Sequence, residues 1–128
     1  MSYIKHRADE SQEDYLETIL LLQKRLGQVR SIDIANEMNF TKPSVSIAMK
    51  NLREKAYITV SENGYITLTE SGRKRAENVL DRHTILSDWL ISLGVSRETA
   101  LEDACRVEHD LSEESFEAIK KAVRPSSD

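Results

Sequence analysis

The segment from Tyr57 to Thr69, YITVSENGYITLT, places two alternating runs of β-formers on either side of Glu62-Asn63-Gly64. Alternation of this kind around an Asn-Gly pair predicts a β-hairpin. Helical periodicity precedes it. Tyr15, Leu16, Ile19, Leu20 and Gln23 recur at helical spacing between Ser11 and Leu26, and Gly27 supplies a stop. Ser31 is positioned to cap IDIANEM, in which Ile32, Ala35 and Met38 share a side. After a turn at Asn39 and Phe40, Pro43 sits where a first helical turn tolerates proline. The helix that follows turns Val45, Ala48, Met49 and Leu52 inward at i, i+3, i+4, i+7. Three helices, the second and third short and closely joined, and then a hairpin make a winged helix-turn-helix.

Beyond the hairpin the pattern is helical again. Thr69 can cap a long helix that Gly94 ends, Ser96 a second that runs through Val107 to about Asp110, and Ser112 a third that stops before Pro125. The expected fold is therefore mainly α with one small β-hairpin. Residues 1–71 form a winged helix-turn-helix DNA-binding domain, and residues 72–128 an all-α dimerisation domain. The later helices carry many apolar positions, among them Leu86, Trp89, Leu90, Leu93 and Leu111. Three helices offer little to bury these against, so a homodimer is expected.

Total charge, taken alone, opposes a nucleic-acid partner. The chain holds 18 Lys and Arg against 22 Asp and Glu, a formal charge of −4. The deficit is local. From Gly94 onward there are nine acidic and five basic residues, a net of −4, whereas residues 1–93 balance at thirteen of each. Within that half, Lys42 to Val60 holds Lys42, Lys50, Arg53 and Lys55 against Glu54 alone, a net of +3. Screening confines each charge to about 10 Å, so a DNA phosphate meets this local excess and not the total. A solvated helix face explains the same charges equally well.

If the third helix enters a major groove, its N-terminal residues Thr41, Lys42, Pro43, Ser44, Ser46 and Ile47 face base edges, with Lys50 one turn on. Ile47 lies off the inward stripe, and an outward apolar side chain suits a thymine methyl; an isolated exposed isoleucine is the plainer alternative. Lys50 and Arg53 are placed to hold phosphates of double-stranded DNA.

A second cluster lies in Leu101-Glu-Asp-Ala-Cys-Arg-Val-Glu-His-Asp-Leu111. Its apolar stripe is expected to run through Leu101, Ala104 and Cys105. Glu108 falls inside that stripe, with His109 four residues after Cys105. An inward carboxylate is costly unless it is paired or bound to a cation. His83 likewise interrupts the stripe of Ala76, Val79, Leu80, Leu86 and Leu90, and Asp14 and Glu17 share a face of the first helix. Each residue also has an ordinary explanation. Asp14 would favour a first helical turn, Cys105 could fill a core, His83 could be a hydrogen-bonded core histidine, and Glu108 could pair with Arg82 or Arg106.

These residues resemble the diphtheria-toxin-repressor family of metal-dependent transcriptional repressors. The likeness rests on EDYLETI near the start, RH at 82–83 and DACRVEHDLS at 103–112, within a span from about Ser11 to Val123. It implies a metal site made of Asp14, Glu17, His83, Cys105, Glu108 and His109, set between the first helix and the dimerisation helices. Cys-Arg-x-Glu-His matches iron-type members, whereas Asp14 and Glu17 match the manganese-responsive branch, which has a carboxylate where Cys105 stands. An ancillary site of iron-type members needs a histidine and a carboxylate where this chain has Leu101 and Ser87. The chain also stops before the third, SH3-like domain of longer members, which suggests a short, two-domain form.

The resemblance implies a repressor of metal-uptake genes that binds a palindromic operator, with a divalent corepressor joining the two lobes. Carboxylates and imidazoles suit Mn2+ or Fe2+, and a thiolate moves the preference toward Fe2+, Co2+ or Zn2+. Fe2+ is therefore favoured over Mn2+, with Zn2+ or Co2+ able to bind in vitro. The alternative is a winged-helix regulator indifferent to metal, its Cys/Glu/His cluster purely structural. Catalysis is not expected, since nothing near Cys105 offers an oxyanion site. No apolar run approaches the ~20 residues of a membrane span. The opening MSYIKHRADESQ lacks the apolar stretch of a signal peptide, so the expected compartment is the cytoplasm.

Overall fold

The computed structural model describes the backbone of residues 2–123 and the side chains of residues 11–123. The elements run α1 (Ser2–Leu26), α2 (Ser31–Met38), α3 (Lys42–Glu54), β1 (Ile58–Val60), β2 (Ile66–Leu68), α4 (Glu70–Ser92), α5 (Arg97–Val107) and α6 (Glu113–Val123). The described residues are mainly helical with one two-stranded hairpin, as expected. They divide into two compact units between Glu77 and Asn78. Pro125, expected to follow the last helix, lies outside the described residues.

In the first unit, Leu16, Ile19 and Leu20 of α1, Ile34 of α2, and Val45 and Leu52 of α3 are buried to within 1% of full exclusion. The stripe read for α3 is the buried one: Val45, Met49 and Leu52 are enclosed and Ala48 is half-buried. Thr41 caps this helix by accepting the Ser44 N–H at 3.3 Å, and Pro43 occupies its first turn. β1 and β2 pair antiparallel with Thr59 opposite Thr67. Gly64 turns the hairpin at φ +85°, donating to the Ser61 carbonyl at 2.9 Å. The Ile66 N–H donates to the Val29 carbonyl at 2.7 Å, which ties the wing to the segment before α2.

Two boundaries differ from expectation. α1 starts at Ser2 and not at Ser11, so Asp14 stands in mid-helix and the first-turn account of its charge does not hold. Ser31 lies inside α2, not at its cap. Arg30 is the cap, and its N–H is taken at 2.9 Å by the Asp33 carboxylate reaching back from the first turn.

Thr69 caps α4 as read. Its hydroxyl accepts the Gly72 N–H at 3.2 Å and donates to the Ala56 carbonyl at 2.7 Å. A Cβ at Gly72 would collide with the Tyr57 carbonyl, so glycine lets the helix start directly against the wing.

In the second unit, Ile85, Leu86, Ala100, Ala104 and Phe116 are buried. Ser96 caps α5 through the Thr99 N–H (3.3 Å), and Ser112 caps α6 through the Ser115 N–H (3.0 Å). α5 ends at Val107, earlier than read. Glu108 is its C-cap, donating its N–H to the Ala104 carbonyl at 2.9 Å, and residues 108–110 form a turn.

Candidate metal centre and nucleic-acid interface

Helix α3 presents its sequence-predicted side chains to solvent. Thr41, Lys42, Pro43, Ser44, Ser46, Ile47, Lys50 and Arg53 are all exposed, and Ile47 is 64% exposed although it is apolar. Among acidic residues only Glu54 stands on this helix, beyond its basic positions. Ser46, Lys50 and Arg53 share a hollow with Ser31 and with Val60 of β1. Ser31 was read only as a cap. Its place beside two cations follows from its position in the first turn of α2, a contact across the fold that local pattern does not encode. The Arg30 guanidinium lies 4.5 Å from the centre of the Tyr65 ring, so the start of α2 and the wing are also joined by a cation–π contact.

On α1, Asp14 and Glu17 are both half-buried, one turn apart. Tyr15 beside them is buried, its ring edge-on to Phe40 at 5.9 Å, and desolvation pushes its phenol above the ordinary value. It is therefore a neutral neighbour.

The second unit gathers three of the predicted ligands. The Glu108 carboxylate is 1% exposed, and its Oε2 lies 2.9 Å from His83 Nδ1. Its Oε1 lies 3.3 Å from His109 Nε2, whose side chain is 2% exposed. A buried carboxylate with one imidazole beside each of its oxygens brings together hard oxygen and borderline nitrogen donor types. That set fits a divalent transition metal. Neither arginine neutralises Glu108 in the way the ordinary explanation required. Arg106 pairs with Asp103 at 2.9 Å, and Arg82 bonds to main-chain carbonyls, Glu108 O among them at 3.0 Å.

Cys105 does not lie on the inward face. Ala100 and Ala104 are the fully buried residues of α5, and Cys105, one position on, is exposed. It lines an open hollow with His83, Leu101, Glu102 and Arg106, so its thiol shares a surface with one of the three gathered residues. Ser87 is buried and donates to the Thr84 carbonyl of its own helix, and Leu101 is half-buried. Neither supplies the donors of an ancillary site.

Both units match known domains. Residues 9–66 match the N-terminal DNA-binding domain of iron-dependent repressors, and residues 69–126 match their metal-binding and dimerisation domain. The chain belongs to the iron-dependent repressor family. It is 34% identical over 108 residues to the transcriptional regulator MntR of Escherichia coli, a match covering 84% of this chain and 70% of that one. It is 35% identical over 113 residues to an uncharacterised HTH-type transcriptional regulator of Methanocaldococcus jannaschii, covering 87% and 90%. Among solved structures, a manganese-dependent transcriptional repressor in complex with manganese superposes with a TM-score of 0.78 at 25% identity over 88% of this chain. The chain spans about half the length of that solved protein, 52%.

Proposed function

We propose that this family member is a metal-dependent regulator of transcription, acting as a cytoplasmic homodimer on a palindromic operator and repressing metal-uptake genes. The observation that carries this reading is the buried Glu108 carboxylate between His83 and His109, within a unit that matches a metal-binding and dimerisation domain. Asp14 and Glu17 from the first unit, with His83, Cys105, Glu108 and His109 from the second, would hold the cation. Bound there, it would supply positive charge that offsets the carboxylates of its ligands.

Ile47 with Ser44 and Ser46 reads base edges, while Lys50 and Arg53 grip phosphates. In a homodimer the two copies of α3 then meet half-sites about 34–36 Å apart. Leu93 and Val107, 64% and 41% exposed, support the dimer as apolar surface on the second unit. Among the described residues, no helix is long and apolar enough to cross a membrane.

The thiol of Cys105 favours Fe2+ over Mn2+ as the corepressor, with Zn2+ and Co2+ able to bind in vitro. A manganese-dependent repressor of the same fold weighs toward Mn2+ instead. A DNA-binding titration with Mn2+, with Fe2+ under anaerobic conditions, and with Zn2+, beside a chelated control, tests the proposal. Metal-dependent operator affinity supports it. Equal affinity in all four arms would establish the metal-indifferent alternative.

A further inference from the structure

Arg82 and His83 are consecutive on α4, and they hold Glu108 at its two ends. His83 Nδ1 meets the carboxylate, while Arg82 Nη1 donates to the main-chain carbonyl of the same residue at 3.0 Å. Nη1 also donates to the Leu111 carbonyl at 2.8 Å, and Nη2 to Glu113 Oε1 at 3.3 Å. The guanidinium stands 5.0 Å from the centre of the Phe116 ring, and the Arg82 side chain is only 11% exposed.

The carbonyls at the end of a helix have no intrahelical partners. Here one rigid fork takes the carbonyls of residues 108 and 111 and a carboxylate of the first turn of α6. The turn between α5 and α6 is thereby fixed to α4, and that turn carries both Glu108 and His109. Stability alone is a poor reason for this arrangement. Arg82 Nε is buried without a hydrogen-bond partner among the described residues. An unsatisfied buried donor on a cation is costly where an apolar side chain could fill the same space.

We infer that Arg82 is a positioning residue of the metal centre, one that sets the orientation of Glu108 and His109 through their main chain without touching the ion. The inference rests on the reading of Glu108 and His109 as ligands. Outer partners that orient ligands change metal affinity by roughly 10–100-fold when removed. With Arg82 gone, the turn at 108–111 is free to rotate about α5, and the carboxylate no longer starts from the bound geometry.

The test uses the full chain, stripped of metal, in four forms: wild type, Arg82→Gln, Arg82→Lys and Phe116→Leu. Mn2+ and Zn2+ affinities are measured without DNA by competition with a chromophoric chelator, beside the melting temperature of each metal-free form. Arg82→Gln should weaken both metals by about 10–100-fold. Arg82→Lys, whose ammonium keeps donors for the two carbonyls but not the fork, should lie between it and wild type. Phe116→Leu removes the ring beside the guanidinium but keeps its hydrogen-bond partners, so it should lower the melting temperature at least as far while metal affinity falls by less than in Arg82→Gln. Wild-type affinity in both Arg82 variants would overturn the inference, as would an equal loss in Phe116→Leu. A Glu108→Gln chain that binds metal as tightly as wild type would instead overturn the reading beneath it.

Discussion

The Glu108 carboxylate, 1% exposed, lies 2.9 Å from His83 Nδ1, so a residue of the turn after α5 is held by one from the middle of α4. An anion so deeply withdrawn from water depends on what faces it. Glu108→Gln keeps the shape and removes the charge. Metal affinity should fall by more than the roughly 10–100-fold expected for an outer partner, since a ligand itself is lost. Operator binding with metal added should drop to the level of the chelated control. Titration of metal and of operator DNA on the same variant checks both.

On α3 the charged and apolar exposed positions should separate in a salt series. Lys50→Ala should weaken binding to every DNA sequence alike and reduce the slope of log affinity against log salt by about 1. Ile47→Ala should leave that slope unchanged and relax base preference at one operator position by about 1 kcal/mol. Competition binding at several salt concentrations on a set of single-base operator variants distinguishes the two. If Ile47→Ala alters no position, its 64% exposure is only that of an ordinary surface isoleucine.

Most of the architecture was legible because its signals are local. Thr69, Ser96 and Ser112 each accept a backbone N–H three residues on, and Asn63-Gly64 turns the hairpin. The start of α1 was not legible, since Ser11 follows residues that continue a helix as readily as they precede one. The cap of α2 was misread because Asp33 performs from inside the helix what Ser31 was expected to do.

Glu108 and His83, which lie 2.9 Å apart, each stood out in the sequence as an interruption of an apolar stripe. The orientation of Cys105 was missed because alanine carries little weight in a hydrophobic pattern, and here Ala100 and Ala104 mark the inward face. Arg82 was legible only as a possible partner of the Glu108 carboxylate, and its bonds to main chain gave no signal. Its partners are carbonyls 26 and 29 residues away, and carbonyls have no sequence identity.

Ala56, between α3 and β1, adopts φ +63°, a left-handed conformation that disfavours a Cβ. Ala56→Gly removes that strain at some cost in chain entropy. The net should be a gain of about 0.5–1 kcal/mol, read as a rise of about 2–4 °C in melting temperature. The Ala56 carbonyl would still accept from Thr69 Oγ1, so operator affinity should not change.

The opposite change at Gly72 should be severe. Its missing Cβ would meet the Tyr57 carbonyl, and main chain cannot step aside as a flexible side chain does. Gly72→Ala should cost about 3 kcal/mol, the upper end for an overpacked site. Urea unfolding checks this: the midpoint should fall with the slope unchanged, as for a loss of stability without a change in the surface exposed.

The proposed preference for Fe2+ over Mn2+ rests on Cys105. Its exposed thiol lines the same hollow as His83, and among the proposed ligands it is the only soft one. Cys105→Ser should weaken Zn2+ and Fe2+ by about tenfold or more, because they gain most from a thiolate, and should change Mn2+ least. Cys105→Glu should move the order the other way, with Mn2+ affinity rising relative to Fe2+. Both variants keep the inward face of α5, since Ala100 and Ala104 are untouched, so the melting temperature of the metal-free chains should stay close to wild type. The measurement is a metal-dependent operator titration with each ion, Fe2+ being handled without oxygen. An unchanged ratio of Fe2+ to Mn2+ response across wild type, Cys105→Ser and Cys105→Glu would remove Cys105 from the ligand set and leave His83, Glu108 and His109 as the donors of the second unit.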